Sequence, residues 1–168
     1  MADPVEIRAA TDDDLEQINE IYNHYVRDSH CTFDVAPVTM PDRRVWFNRY
    51  ATTGRYRLLM AMMATTVLGY ATSSPYHERA AYASSVQTSI YTAAGMQRRG
   101  VGSALYAALF ELLADEDVHR AYGGIALPND ASIALHQRFG FTRAGCFTEQ
   151  GRKFGRYWDV VWYERAVA

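Results

Sequence analysis

Gln97-Arg98-Arg99-Gly100-Val101-Gly102-Ser103 is the stretch on which the fold of this chain turns. It follows a strand-like run from Tyr82 to Thr92 and opens a helix predicted to reach about Ala114. A strand, a basic glycine-containing turn and a helix together make a phosphate cradle. The first helical N–H groups have no partner inside the helix and can point at an anion. The helix dipole adds partial positive charge there. Gly100 and Gly102 would let the backbone approach a ligand closely, and Arg98 and Arg99 would add charge-assisted hydrogen bonds. The spacing excludes two better-known loops. No Lys follows either glycine, as a Walker loop requires, and the dinucleotide fingerprint lacks its third glycine because Ala104 and Leu105 follow Ser103. The plainer alternative is a basic turn that only caps a helix.

Working outward, Val5 to Ala9 reads as a strand, and Thr11 with Asp12, Asp13 and Asp14 reads as a helix start. Leu15, Ile18, Ile21, Tyr22, Tyr25 and Val26 recur at helical spacing. His30 to Thr39 is predicted as loop. A second helix starts at Pro41, carries Val45, Trp46 and Tyr50, and ends at Gly54. Tyr56 to Met63 and Val67 to Ser73 read as strands joined by a turn at Ala64 to Thr66. In the run from Tyr82, Val86, Thr88 and Ile90 share one face, and Gln87, Ser89 and Tyr91 the other. Val101, Leu105, Ala108, Leu109, Leu112 and Leu113 form the predicted buried stripe of the following helix. Ala121 to Leu127 is a strand. A helix capped by Asn129 or Asp130 runs to Gly140. Phe141 to Phe147 and Trp158 to Arg165 are closing strands around a turn at Gly151 to Gly155. The order predicts a single α/β domain over residues 1–168, with a mixed central sheet flanked by helices.

Composition narrows the function classes. The 168 residues suffice for one domain with a core. A formal charge of −2 gives no electrostatic case for nucleic acid. No apolar run approaches a membrane span, and the first residues resemble no secretory signal. Cys31 and Cys146 are isolated and suit a reducing cytoplasm. The five histidines form no metal-ligand cluster, so no metal is expected.

The Gln/Arg-x-x-Gly-x-Gly/Ala pattern after a strand resembles the loop with which GNAT N-acetyltransferases cradle the pyrophosphate of acetyl-CoA. A second stretch, from Asn129 to Phe141, is similar to the family pattern Asn-x-x-(Ala/Ser)-x-x-Leu-Tyr-x-x-x-Gly-Phe. Shorter matches spread over nearly the whole chain resemble the phosphinothricin acetyltransferase group. Among them are Tyr22-Asn23-His24-Tyr25-Val26, Thr32-Phe33, Arg79-Ala80-Ala81-Tyr82 and Leu127-Pro128-Asn129-Asp130.

That resemblance implies acetylation of a small-molecule amine, such as phosphinothricin or methionine sulfoximine, by a cytoplasmic homodimer. The cofactor-binding set it implies is the backbone of Ile90, Tyr91 and Thr92 for the pantetheine arm, Gln97 to Ser103 for the pyrophosphate, and Asn129 and Ser132 on the next helix. His136 occupies the position where many relatives place a Tyr as general acid. The alternative is a structural histidine bonded to a backbone carbonyl. Arg79 is the implied anchor for a substrate carboxylate or phosphinate, and Phe33, Tyr76 and Tyr25 the implied pocket wall. Lys153 and Tyr157 would reach a partner subunit's site.

Gln87 departs from the group, which carries a Glu there as base. A Gln amide has the same shape but cannot take the amine proton. Three consequences stay open: His136 or a water chain as base, an acceptor amine of lower pKa, or slow turnover by a protein that mainly binds acetyl-CoA. Rival classes are an acyl-CoA sensor and a nucleotide-binding module. Peptide and polyamine amines remain open as acceptors.

Overall fold

The first strand, β1 (Glu6–Ala9), leads into a charged turn. Asp14 accepts the backbone N–H of Thr11 at 2.7 Å and its hydroxyl at 3.1 Å. Arg8 closes the turn with two bonds of 2.7 Å to the same carboxylate, which holds Asp14 below the usual carboxylate range. The computed structural model describes residues 5–97 and 99–167. One 3₁₀ turn (Asp12–Asp14) precedes α1 (Leu15–Asp28). α2 (Met40–Phe47) starts at the Thr39 cap with Pro41 in its first turn. It ends before Tyr50. The N–H groups of Arg49 and Tyr50 bond only three residues back, to Trp46 and Phe47, which tightens and closes the helix. Gly54, at φ +85°, therefore belongs to the loop beyond and not to the helix end.

Three antiparallel strands follow: β2 (Leu58–Met63), β3 (Thr66–Pro75) and β4 (Ser85–Thr92). β4 starts later than alternation predicts because Ala80–Tyr82 form a 3₁₀ turn. There Tyr82 packs edge-on against Tyr76. α3 (Val101–Ala114) then crosses back to β5 (Arg120–Ala126), and α4 (Asp130–Arg138) leads to β6 (Thr142–Lys153) and β7 (Arg156–Ala166). The closing turn is only Phe154-Gly155, both at positive φ, as a tight hairpin requires. Gly151 lies inside β6 opposite Trp158. A Cβ there would come within 2.3 Å of the Phe33 ring, so this glycine makes room for a side chain and not for a turn.

The strand order is β1-β2-β3-β4-β5-β7-β6, and only β4 and β5 run parallel. Alternate residues of β2 serve opposite faces. Leu59 and Ala61 pack with α3, and Leu58 and Met60 with Ile18 and Ile21 of α1. α3 buries Val101, Leu105, Leu109 and Leu113 together with Tyr106 and Phe110. Leu112 is 38% exposed, contrary to the predicted stripe. It lines an open groove between α3 and the β1–β2 edge, where the sheet no longer covers the helix.

The feature that positions the site is a fork. β4 and β5 pair only over Ser85–Gln87 and Arg120–Tyr122. Beyond Gln87, β4 stays with β3 as far as Thr92, and β5 stays with β7 as far as Ala126. The register of β4 against β3 is unbroken, so the sheet opens without a bulge in β4.

Candidate active site

An antiparallel strand turns both polar groups of one residue to the same side, and the next residue's to the other. Ser85 accepts from the N–H of Tyr76, and Ala93 donates to the carbonyl of Leu68. Odd-numbered residues of β4 therefore face β3, and Ile90 and Thr92 turn theirs toward the fork. The Thr92 carbonyl is already taken by the Tyr25 hydroxyl at 2.9 Å. Tyr91 pairs with Tyr70 in the ladder and keeps its backbone on the β3 side. Of the three backbone positions expected to hold a pantetheine arm, Ile90 is the one with both groups on offer. The arm is an amide-bearing chain, and a free N–H and C=O pair suits it.

The loop after β4 delivers the N-terminus of α3. Gly100 caps the helix in the left-handed region, φ +80°, with open space around a Cβ. The left-handed conformation by itself calls for glycine here. Gly102 answers a packing need: a Cβ there would sit 3.0 Å from Leu135 and 4.0 Å from Ile90. It thus brings α3 close to both α4 and the fork. Gln97 and Arg99 are exposed, and the Ser103 hydroxyl accepts from Arg138 at 3.2 Å. The backbone N–H groups of Val101, Gly102 and Ser103 open a helix of 14 residues and fit an anionic group. Arg98 lies outside the described residues.

The residues assigned to the second motif build an internal cap. Asn129 accepts the Ser132 N–H at 3.1 Å and donates to the Cys31 sulfur at 3.4 Å. Its side chain holds α4 to the loop after α1; the Ser132 N–H belongs to the same cap, and the Ser132 hydroxyl lies 3.4 Å from Nδ1 of His136. His136, 6% exposed, sits beneath the fork. Its Nδ1 faces the Ser132 carbonyl at 2.8 Å and its Nε2 the Tyr106 hydroxyl at 3.0 Å, and Thr88 lies 3.0 Å further along. Burial lowers its pKa, partly offset by the Ser132 carbonyl. The geometry is that of the structural histidine bonded to a carbonyl.

Gln87 is the last paired residue before the fork, with Ser74 on one side and Tyr122 on the other. On its face of the sheet, a cavity of about 200 Å³ lies between α1, α2 and the β3–β4 pair. Tyr70, Thr72, Ser74, Ser89 and Tyr91 form its floor, and Tyr22, Asp34, Arg43, Trp46 and Tyr50 its walls. Burial pushes the Tyr22 and Tyr50 hydroxyls up to about 12 and raises those of Tyr70 and Tyr91 as well. At neutral pH all four remain protonated donors.

The expected substrate residues are scattered around this cavity and do not line it. Phe33 rests on Gly151, and Tyr76 stacks on Tyr122 at 4.4 Å. Arg79 is exposed at the start of the 3₁₀ turn and is not among the lining residues. Lys153 is 4% exposed and donates to the carbonyls of Ser29, Thr32 and Tyr25 at 2.7, 2.8 and 3.3 Å. It clamps the β6–β7 hairpin to the end of α1 and the loop after it within its own chain. Tyr157 is exposed.

Sequence reasoning missed Arg43, 3% exposed. Its guanidinium lies 4.6 Å from the Tyr22 ring and 4.4 Å from that of Trp46, and its Nε donates to Asn19 at 3.0 Å. The available signal was Asn19 and Asn23, two amides at helical spacing beside an apolar stripe. They also hold the backbone of Val38.

Among the described residues no cluster of His, Cys, Asp and Glu could hold a metal, and no helix is long and apolar enough to cross a membrane. An acetyltransferase (GNAT) domain model matches residues 7–162. A phosphinothricin N-acetyltransferase of Streptomyces coelicolor is 54% identical over 97% of this chain and 96% of its own length. An L-methionine sulfoximine/L-methionine sulfone acetyltransferase of Pseudomonas paraeruginosa is 32% identical over 94% of this chain and 92% of its own. The solved structure of a GNAT phosphinothricin acetyltransferase from Sinorhizobium meliloti, in complex with acetyl-CoA, superposes with a TM-score of 0.91 at 29% identity. It covers 96% of this chain and 88% of that one. This chain thus belongs to the GNAT family as an acetyl-CoA-dependent N-acetyltransferase.

Proposed function

We propose that the chain acetylates the amino group of a small amino acid analogue of the phosphinothricin or methionine sulfoximine kind. The observation that carries this reading is the meeting of the fork at Ile90 with the cavity floored by Ser89 and Tyr91. Consecutive residues of one strand serve the two sides, so an amine at the fork keeps its tail in the cavity. The names of the relatives support the substrate class.

The Ile90 backbone orients the thioester against β4, and the α3 N-terminus with Arg99 holds the pyrophosphate. Such positioning makes a bimolecular step nearly unimolecular. The amine nitrogen attacks the thioester carbon directly, the carbon–sulfur bond breaks, and the sulfur leaves as thiolate and takes a proton from solvent. No acyl-enzyme forms. Gln87 cannot take the amine proton. His136 is buried with both ring nitrogens engaged, so water at the open fork takes that proton. Gln87 orients this water by its amide. Asn129 and Ser132 support the site by capping α4.

The protein works in the cytoplasm as a homodimer in this reading, the second copy lying along β6. That 12-residue edge strand is exposed from Thr142 through Gln150, and Phe147 on it is an exposed aromatic. Light scattering on the purified protein reads the dimer directly.

The test of function is a thiol-release screen with acetyl-CoA and phosphinothricin, methionine sulfoximine, methionine sulfone and polyamines. Turnover of the first three above the polyamines is expected. Release no faster than buffer with every amino acid analogue would reject the reading.

A further inference from the structure

Two residues that line the cavity beside Gln87 each carry a buried polar atom with no partner among the described residues: Nη2 of Arg43 and the hydroxyl of Tyr70. Both side chains are almost wholly buried, at 3% and 1% exposure. Buried polar atoms are nearly always satisfied, and a cation left short of an acceptor is the rarer case. The guanidinium is also held fast, between the Tyr22 and Trp46 rings and by the Asn19 oxygen. It cannot swing out to solvent to find a partner. The carboxylate that lines the cavity, Asp34, instead accepts from the Tyr22 hydroxyl at 2.7 Å. The lining also carries the hydroxyls of Tyr50, Thr72, Ser74 and Ser89.

We infer that Arg43 and Tyr70 form an oxyanion subsite, taking an anionic oxygen of the acceptor, carboxylate or phosphinate, while its amine lies at the fork. An oxygen that reaches either group gives it the acceptor it lacks. The surrounding hydroxyls donate to the remaining oxygens, and the flat rings on either side of the guanidinium keep it aimed. This inference rests on the acceptor reading above, because only an acceptor tail reaches the cavity from the fork.

The informative variant is Tyr70→Phe. It deletes a hydroxyl that has no partner in the protein, so a purely structural Tyr70 predicts unchanged or higher stability and unchanged kinetics. The subsite predicts KM for the acceptor raised about tenfold with kcat nearly constant, the signature of lost uniform binding. Arg43→Lys should do the same, with KM for acetyl-CoA unmoved in both. Three acceptors separate the source of the oxyanion. Phosphinothricin carries carboxylate and phosphinate, methionine sulfone carries only the carboxylate, and 3-aminopropyl(methyl)phosphinate carries only the phosphinate. A KM effect confined to acceptors with one of these groups assigns it to the subsite; equal KM values for wild type and both variants on all three overturn the inference.

If no acceptor is turned over, the functional reading fails separately. Titration of the tryptophan fluorescence with dimethylphosphinate and with acetate then decides, since Trp46 lies against the guanidinium. A saturable change lost in Arg43→Lys supports the subsite; the absence of any saturable change in wild type overturns it.

Discussion

Nε2 of His136 lies 3.0 Å from the hydroxyl of Tyr106 in the interior beneath the fork. The partner of Nδ1 is the Ser132 carbonyl, which can only accept, so the ring proton sits on Nδ1 and Nε2 accepts from Tyr106. A second proton would reverse that bond, make Nε2 the donor and turn the Tyr106 hydroxyl toward Thr88, at the cost of burying a charge. The neutral ring is thus part of the packing, and its low pKa follows from burial.

The pH dependence of stability tests this arrangement. In the unfolded chain a histidine titrates near about 6.5. Below that pH the unfolded chain binds a proton that folded His136 resists, so stability falls as pH drops from about 6.5 toward the depressed folded value. Urea unfolding at pH 7.5 and 5.5 should show wild type losing more stability than His136→Gln. The variant should itself be weaker at pH 7.5 by about 1–3 kcal/mol, the usual cost of orphaning a buried partner. Equal losses on acidification would clear His136 of the effect.

Gln87→Glu places a carboxylate at the mouth of the fork between Ser74 and Tyr122. A positioned general base contributes at least on the order of 10²-fold, so kcat/KM at pH 8 should rise toward that figure. The new carboxylate acts only when ionised. The variant's rate should therefore decline on acidification through its pKa, along a limb absent from wild type. Matching rates and pH profiles would show that the amine proton does not leave by way of this position.

How far these features were legible in sequence depends on their range. The element order, the start of α3 at Val101 and the alternation of β4 came from local periodicity and turn chemistry, and they hold with shifted ends. Gly100 was readable as special, but the reason for Gly102 was not, because Leu135 meets it across the fold. Lys153 looked like a surface cation for the same reason: its three acceptors lie more than 120 residues away in the chain. Arg43 sat in an ordinary helix pattern, and nothing local indicates that two aromatic rings enclose it. The fork itself is a relation between two strands separated by α3, which periodicity within either strand cannot express.

The Lys153 clamp makes a prediction that separates it from a substrate ligand. Lys153→Met leaves the carbonyls of Ser29 and Thr32 buried without their donor. Orphaned groups of this kind cost about 1–3 kcal/mol each, so a loss of about 2–4 kcal/mol in denaturant unfolding is expected after partial relaxation. A residue that only touched substrate would raise KM and leave unfolding unchanged. Unaltered stability in the variant would therefore return Lys153 to the substrate site.

Gly100 and Gly102 make paired substitutions with opposite readouts. At Gly100 a Cβ meets nothing, yet φ is +80°. Gly100→Ala should thus cost about 1–2 kcal/mol of stability through left-handed strain alone. At Gly102 the backbone is helical, and the added methyl would come within 3.0 Å of Leu135 and 4.0 Å of Ile90. Alanine favours a helix, so the local propensity term is stabilising. The displaced elements, however, are α4 and the strand whose backbone faces the fork. Gly102→Ala should raise KM for acetyl-CoA by about tenfold, equivalent to ~1.4 kcal/mol, with less effect on thermal unfolding than Gly100→Ala. Acetyl-CoA kinetics and thermal melts on the two proteins check this. If Gly102→Ala keeps the wild-type KM, the contact between α3 and the fork does not set how the donor is held.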